Sequence, residues 1–351
     1  MGWDKRILFA TGFLAVATAA FAQAQLPPVP AAQGIPKPGP AVKGKPYQPQ
    51  TLLPGGIVMP LWPAGSPFLN NKRAQEAEVY TMDATVPGRV ERVINIHNPS
   101  IEVHLVRPAD NTGAAIILVP GGGHNTIVVG IEGIDPVPFF WNYGVNTIIL
   151  RNRLRKDGYD AKLDAVYDLQ QAIRLVRAHA AEWRLDPKKI GVMGFSAGAE
   201  LTMAAAIQYP EFDARNNDRA TDPLAGISAR PDFVGSIYPG PSLFTKGGKP
   251  PIPKDAPPSF IICPGYGDRV HAVWADEYFA AMLDAGIPNL EMHIYAIGLH
   301  GRGMSYRDGT ALGTWPARFT DWFRDLGFLN KPGVETLAAR DVAAFVRSPA
   351  K

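Results

Sequence analysis

A single cysteine, Cys263, stands in a chain of 351 residues, so no internal disulfide can form and the fold has to be held by a core. Cys263 lies in an apolar, strand-like run and reads as part of that core. Charge of one sign is lacking as well. The chain has 35 Lys and Arg against 32 Asp and Glu, a net charge of +3, and no block of like charges. That balance argues against nucleic acid or an anionic membrane surface as the main partner. Past residue 25 no hydrophobic stretch reaches the length of a membrane span. No internal repeat is visible. No His, Cys and Asp cluster has metal-ligand spacing, so neither a metal nor a cofactor is implied. What remains is a chain 46% hydrophobic and 19% charged, enough to bury a sizeable core.

The organisation reads from the N-terminus. Lys5 and Arg6 precede an apolar run from Ile7 to Ala20, and Ala20-Phe21-Ala22 fits the small-x-small rule for cleavage. This predicts a signal peptide over 1–22, export to the periplasm or the exterior, and no stable membrane insertion, with a retained anchor as the alternative. Residues 23–50 are rich in Pro, Gly and Ala without periodic apolar positions, which predicts an extended linker. One catalytic domain is expected over 51–330, with a short helical or frayed tail at 331–351.

Within the domain, Val90–Ile96 and Ile101–Val106 alternate apolar and polar residues around His97-Asn98-Pro99-Ser100, the pattern of an antiparallel edge. Ala114–Val119, Val145–Leu150, Lys189–Met193, Phe233–Tyr238, Ser259–Cys263 and Glu291–Ala296 are apolar strand candidates, the first of them continuously so, as a strand buried on both faces is. Helical spacing falls between them at Ala161–Arg184, Trp274–Ala285 and Trp315–Leu326. Strands alternating with helices predict an α/β fold, a mostly parallel doubly wound sheet with helices on both faces.

The chain is organised around Gly194-Phe195-Ser196-Ala197-Gly198. An apolar strand leads into this Gly-x-Ser-x-Gly and a small-residue helix leads out, the context of a nucleophile elbow. Glycines two before and two after let strand and helix approach closely, while the sharp turn holds the serine hydroxyl clear of the sheet. A serine needs a base and waiting donors for the oxyanion. Ala114–Val119 runs into Pro120-Gly121-Gly122-Gly123-His124, which places backbone N–H groups of Gly122 and Gly123 as half of an oxyanion hole, with Ala197 as the other half. A phosphate loop would need the Lys-Ser/Thr that this stretch lacks.

Asp268 follows a late apolar strand in the Gly-rich loop Pro264-Gly265-Tyr266-Gly267-Asp268 and is the expected acid. Asp276 and Asp284 lie in a helix pattern, and Asp232 precedes its strand. Of seven histidines, His300 follows the final strand and completes the order Ser, Asp, His. His97 and His104 belong to the edge strands, His179 to a helix and His293 to a strand. His271 follows Asp268 by three residues, too close along the chain to be placed independently.

Taken together these segments resemble α/β-hydrolases of the branch containing acetyl xylan esterases and other carbohydrate esterases related to dienelactone hydrolase and prolyl oligopeptidase. The resemblance runs from about Leu61 to Leu329. It is carried by Leu61-Trp62-Pro63-Ala64-Gly65-Ser66-Pro67, Asn98–Val103, the Pro-Gly-Gly-Gly loop, Asp168 with Ala172-Ile173-Arg174, the Ile190–Gly198 elbow, Ser228–Phe233, Pro257–Phe260 and Asp268-Arg269-Val270. The chain departs from that pattern at His124, where an aromatic residue is common, and at Glu200, where histidine is common. The segment between Tyr238 and Pro257 is short, and Val270 is followed by His271-Ala272 where the acid motif often continues to Val-Pro. The resemblance implies a serine esterase without a large lid domain, acting on acetylated oligo- or polysaccharide or another small ester. A general carboxylesterase, a peptidase of the same fold and a non-catalytic binding homologue are the alternatives. With His300 as base, activity is expected to rise with pH through the ordinary histidine range of about 6 to 7, and His271→Gln is expected to leave that titration in place.

Overall fold

In chain order the strands are β1 (Ile57–Pro60), β2 (Val79–Met82), β3 (Val90–Ile94), β4 (Ser100–His104), β5 (Ala115–Val119), β6 (Asn146–Arg151), β7 (Ile190–Phe195), β8 (Val234–Ile237), β9 (Ser259–Tyr266) and β10 (Glu291–Ile297). The helices are α1 (Pro136–Trp141), α2 (Asp164–Ala178), α3 (Ala197–Arg215), α4 (Arg269–Asp284), α5 (Trp315–Asp325) and α6 (Leu337–Arg347). The structure, a computed structural model, describes residues 26, 28–31, 41, 43–70, 72–218, 222–304 and 309–348. The signal segment read at 1–22 lies outside the described residues, as does half of the linker.

Eight strands form one sheet in the order β1-β4-β6-β5-β7-β8-β9-β10. From β6 to β10 all neighbours are parallel, while β4 runs antiparallel to β6 and β1 antiparallel to β4. Every residue of β5, β6, β7 and β8 is buried, as strands covered by helices on both faces require. Alternating residues of β9 show the two layers. Ser259 Oγ meets the Tyr278 hydroxyl of α4 at 3.2 Å, whereas the ring of the next residue, Phe260, packs on Phe319 and Trp322 of α5. The fold is the mostly parallel, doubly wound α/β arrangement expected.

The edge differs from expectation. β3 and β4 do not pair with each other: β3 pairs with β2 in a separate two-stranded sheet, and β4 enters the main sheet between β1 and β6. The alternation in β4 misleads because its polar residues face a buried charge network instead of water. Glu102 accepts the N–H groups of Leu52 and Leu53 at 2.6 and 3.0 Å and sits 2.8 Å from His104 Nε2. Arg151, fully buried, lies 3.7 Å from Glu102 and 3.2 Å from Glu78, and donates to the Gln50 carbonyl at 2.7 Å. Removing one partner of such a network leaves an uncompensated buried charge, so its members come as a set.

That network also draws in the chain upstream of residue 51. Tyr47 is buried, and its N–H donates to the Ala74 carbonyl at 2.7 Å, so packing begins before the compositional boundary at 51. Asp168 on α2 clamps the lead-in, accepting from Trp62 Nε1 at 2.8 Å and from the Arg153 guanidinium at 2.8 to 3.1 Å. Among the described residues no helix is long and apolar enough to cross a membrane.

Candidate active site

Four strand ends meet at the carboxyl edge of the sheet, where an open parallel sheet collects its functional loops. β5 runs out into Pro120-Gly121, β7 into Ser196, β9 into Asp268 and β10 into His300. Ser196 has φ 52° and ψ −120°, a conformation that residues with a Cβ rarely adopt. The flanking glycines are demanded by contact. A Cβ on Gly194 would lie 2.4 Å from the Gly198 carbonyl oxygen, and one on Gly198 would lie 1.9 Å from that of Val119. The strain at Ser196 is held by backbone bonds: its N–H donates to the Ile237 carbonyl at 3.0 Å, and its carbonyl accepts from Gly240 at 3.3 Å.

Ser196, His300 and Asp268 form one hydrogen-bonded line. Ser196 Oγ lies 2.8 Å from His300 Nε2, and His300 Nδ1 lies 2.8 Å from Asp268 Oδ2. Asp268 is 6% exposed. Burial pushes its carboxyl up, but hydrogen bonds from His271 and His300 outweigh that and hold it down at about 2. An ionised Asp268 only accepts, so His300 Nδ1 carries the proton and Nε2 is left to accept from the serine hydroxyl. Tyr238 presents its ring edge to the imidazole at 4.9 Å. Cys263 is buried in β9 as expected, its Sγ 3.9 Å from Asp268, and burial pushes its thiol up.

Of the oxyanion donors expected at Gly122, Gly123 and Ala197, Ala197 directly follows the nucleophile, and the two glycines follow Gly121 in the loop beyond β5. Gly121 is so close to the nucleophile that a Cβ there would lie 2.8 Å from Ser196 Cβ, and its N–H is already taken by Glu132 Oε2 at 2.7 Å. Gly122 has φ +129°, open to glycine alone. Ala197 is the first residue of α3, where N–H groups have no intrahelical acceptor. His124 and Glu200, where the chain departs from its resemblance, pair at 3.1 Å across the loop and the first turn of α3.

His271 needs correction. The short chain separation from Asp268 argued against a separate place in the site, yet His271 Nδ1 bonds the other oxygen of Asp268, and its ring stacks on His300 at 3.9 Å and 26°. One carboxylate therefore serves two parallel imidazoles. The signal was present in the sequence: α4 starts directly after Asp268, and one helical turn returns residue 271 to its own cap. The donor atoms of Asp268, His271 and His300 lie within 4.8 Å of one another, a spacing that a metal ion could use, though here those atoms serve the hydrogen bonds described. The other candidates lie elsewhere. Asp232 binds the Ile190 N–H and Arg177 at the opposite end of the sheet, His293 pairs with Glu291, His97 with Tyr159 and Asn95, and His179 with Glu182.

Sheet order and turn together give an α/β-hydrolase fold with a serine between β7 and α3. The family model described as BD-FAE matches residues 103–235. An acetylxylan esterase of Xylanibacter ruminicola is 26% identical over 267 residues, covering 73% of this chain and 51% of that protein, so the chain spans about half the length of this relative. Among solved structures, an acetyl ester-xyloside bifunctional hydrolase from Caldicellulosiruptor lactoaceticus superposes with a TM-score of 0.62 at 23% identity, over 78% of this chain and 97% of that one. Esterase 2 of Thermogutta terrifontis, phosphorylated by paraoxon, superposes with a TM-score of 0.56 at 20% identity, over 80% and 96%.

Proposed function

We propose that the protein hydrolyses short-chain acyl esters of carbohydrates, acetyl esters above all, through an acyl-enzyme on Ser196. His300 takes the serine proton as Oγ attacks the ester carbonyl, and Asp268 holds the imidazole in the required tautomer and stabilises the imidazolium that forms. The N–H groups of Ala197 and of Gly122 and Gly123 receive the oxyanion, each donor lowering the barrier by about 3 kcal/mol. His300 returns the proton to the departing alcohol, then activates water to release the acid. The observation that carries the reading is the unbroken Ser196–His300–Asp268 hydrogen-bond line on a strained strand-to-helix turn.

The acyl and alcohol preferences are drawn from likeness: one relative is an acetylxylan esterase, and one solved neighbour is an acetyl ester-xyloside bifunctional hydrolase. The likeness to an acetylxylan esterase supports a carbohydrate alcohol, and the signal-like N-terminus supports export to where polysaccharide fragments arrive. The test compares kcat/KM for acetyl and octanoyl esters of one alcohol, with acetate release from acetylated xylan. Acetyl is expected to lead by at least about a hundredfold: one methylene that a site refuses is worth roughly tenfold to two-hundredfold, and octanoyl carries several more than acetyl. An octanoyl preference with no acetate released sinks the reading in favour of a general carboxylesterase.

The shared carboxylate yields a second expectation. With His271 donating to one oxygen, Asp268 offers His300 less negative charge than it would alone. His271→Phe keeps a ring for the stack and removes the donor, so the imidazolium of His300 is better stabilised. kcat for a short acetyl ester is expected to match or exceed wild type. A fall of tenfold or more would show that His271 supports the site and does not draw charge from it.

A further inference from the structure

Between the two loops of the site lies a carboxylate that this chemistry leaves unused. Glu132, 2% exposed, sits on the π-helical turn Gly130–Ile134. Such turns are rare and recur at functional sites. Its Oε2 accepts the Gly121 N–H at 2.7 Å, and its Oε1 accepts the Tyr238 hydroxyl at 2.8 Å. The Tyr238 hydroxyl in turn accepts the Gly303 N–H at 2.7 Å. Gly121 opens the oxyanion loop, and Gly303 lies three residues beyond His300. Both loops also rest on this turn by close packing. The Met304 N–H donates to the Ile131 carbonyl at 3.3 Å, and a Cβ on Gly303 would lie 2.3 Å from that oxygen. Tyr238 itself is buried, has φ 39° and stands edge-on to His300.

We propose that Glu132 is a positioning residue that ties the oxyanion loop to the histidine loop. One carboxylate oxygen holds the Gly121 amide, and the other holds the Gly303 amide through the Tyr238 hydroxyl. The kinetic consequence rests on the ester-hydrolase reading of Ser196 and His300, whereas the loop coupling does not.

The brace needs the ionised form. A carboxylate accepts with both oxygens, whereas the protonated acid must donate from one. Tyr238 would then accept twice, leaving its own proton without a partner in a buried site. Burial pushes the Glu132 carboxyl up to about 7, against the lowering effects of the Gly121 N–H, the Tyr238 hydroxyl and the charge of Arg92. The groups facing it are Arg92 and Tyr238, with His300 and Asp268 beyond the Tyr238 ring. Falling pH therefore loosens the brace as Glu132 takes up its proton. The stability sign is opposite. A carboxyl raised above its ordinary value favours the fold most at low pH, and that contribution is lost as pH rises through about 7.

Glu132→Gln imitates the protonated acid at every pH, and Tyr238→Phe removes one arm while keeping the ring. Two measurements on the full chain test the proposal. In hydrogen exchange, Glu132→Gln is expected to speed exchange at Gly121 and Gly303 together, and Tyr238→Phe at Gly303 mainly. In kinetics on a short acetyl ester, Glu132→Gln is expected to lower kcat tenfold to a hundredfold with KM changed less than about threefold. The wild-type advantage in kcat over the Gln variant should shrink as pH falls below about 7. The double variant should be no slower than Glu132→Gln alone, because both arms run through one carboxylate. Unchanged exchange at both glycines, or kcat within twofold of wild type at every pH, overturns the proposal. A wild type that hydrolyses no ester yet shows the paired exchange change sinks the ester-hydrolase reading and leaves the brace standing.

Discussion

Ser196→Ala is expected to lower kcat for aryl acetates by a thousandfold or more while leaving the fold in place. The size follows from what the hydroxyl alone supplies. Without it no acyl-enzyme forms, and only oxyanion donors and substrate binding remain to assist a water. The fold should survive because the strain at this position is a property of the turn. Ser196 already bears a Cβ at φ 52°, so alanine adds no clash, and the backbone bonds to Ile237 and from Gly240 do not use the side chain. Among the described residues the hydroxyl's partner is His300. Melting temperature should therefore stay within a few degrees of wild type, and a serine-directed phosphonate should label wild type but not the variant. Activity above about a thousandth of wild type, in protein free of contaminating esterase, would count against Ser196 as nucleophile.

The turn that holds Ser196 was legible because its requirements are local. Gly194 and Gly198 are demanded by contacts of 2.4 and 1.9 Å that only glycine avoids, and such demands leave residue types at fixed spacing. The central strands were legible too, since burial on both faces leaves an uninterrupted apolar run in β5 and a nearly uninterrupted one in β7. The edge was not. Glu102 and His104 gave β4 the alternation of a half-exposed strand, while their partners Arg151, Leu52 and Leu53 come from distant parts of the chain. The same holds for Glu132, which reads as an ordinary acid among glycines until Tyr238, over a hundred residues on, closes the bridge. His271 is the opposite case, a contact one helical turn long that was set aside for its closeness along the chain. Where a role depends on a partner far along the chain, residue type and spacing say little about it.

Asp268→Asn is expected to be nearly as damaging as loss of the serine, lowering kcat by a thousandfold to ten-thousandfold through the tautomer of His300. The carboxylate accepts from two imidazoles at once, through Oδ1 from His271 and Oδ2 from His300. An asparagine has one acceptor and one donor to offer the same pair. If its amide N–H₂ faces His300, the ring must carry its proton on Nε2 and cannot take the one from Ser196. If its oxygen faces His300, the tautomer is right, but the imidazolium formed during attack meets a dipole where a charge stood. Both arrangements lose activity, and His271 competes for the oxygen in each. The substitution carries a separate signature in stability. Because His271 and His300 hold the Asp268 carboxyl at about 2, below its ordinary 3.8, it contributes stability above about 3.8 that is lost as pH falls through 2. Asparagine has no such titration. Melting temperatures measured from pH 6 down to 2 should therefore fall less steeply for the variant than for wild type below pH 4, while its activity stays low throughout. A variant retaining more than about a tenth of wild-type kcat, or one whose acid destabilisation parallels wild type, would mean that His300 is oriented by something other than Asp268.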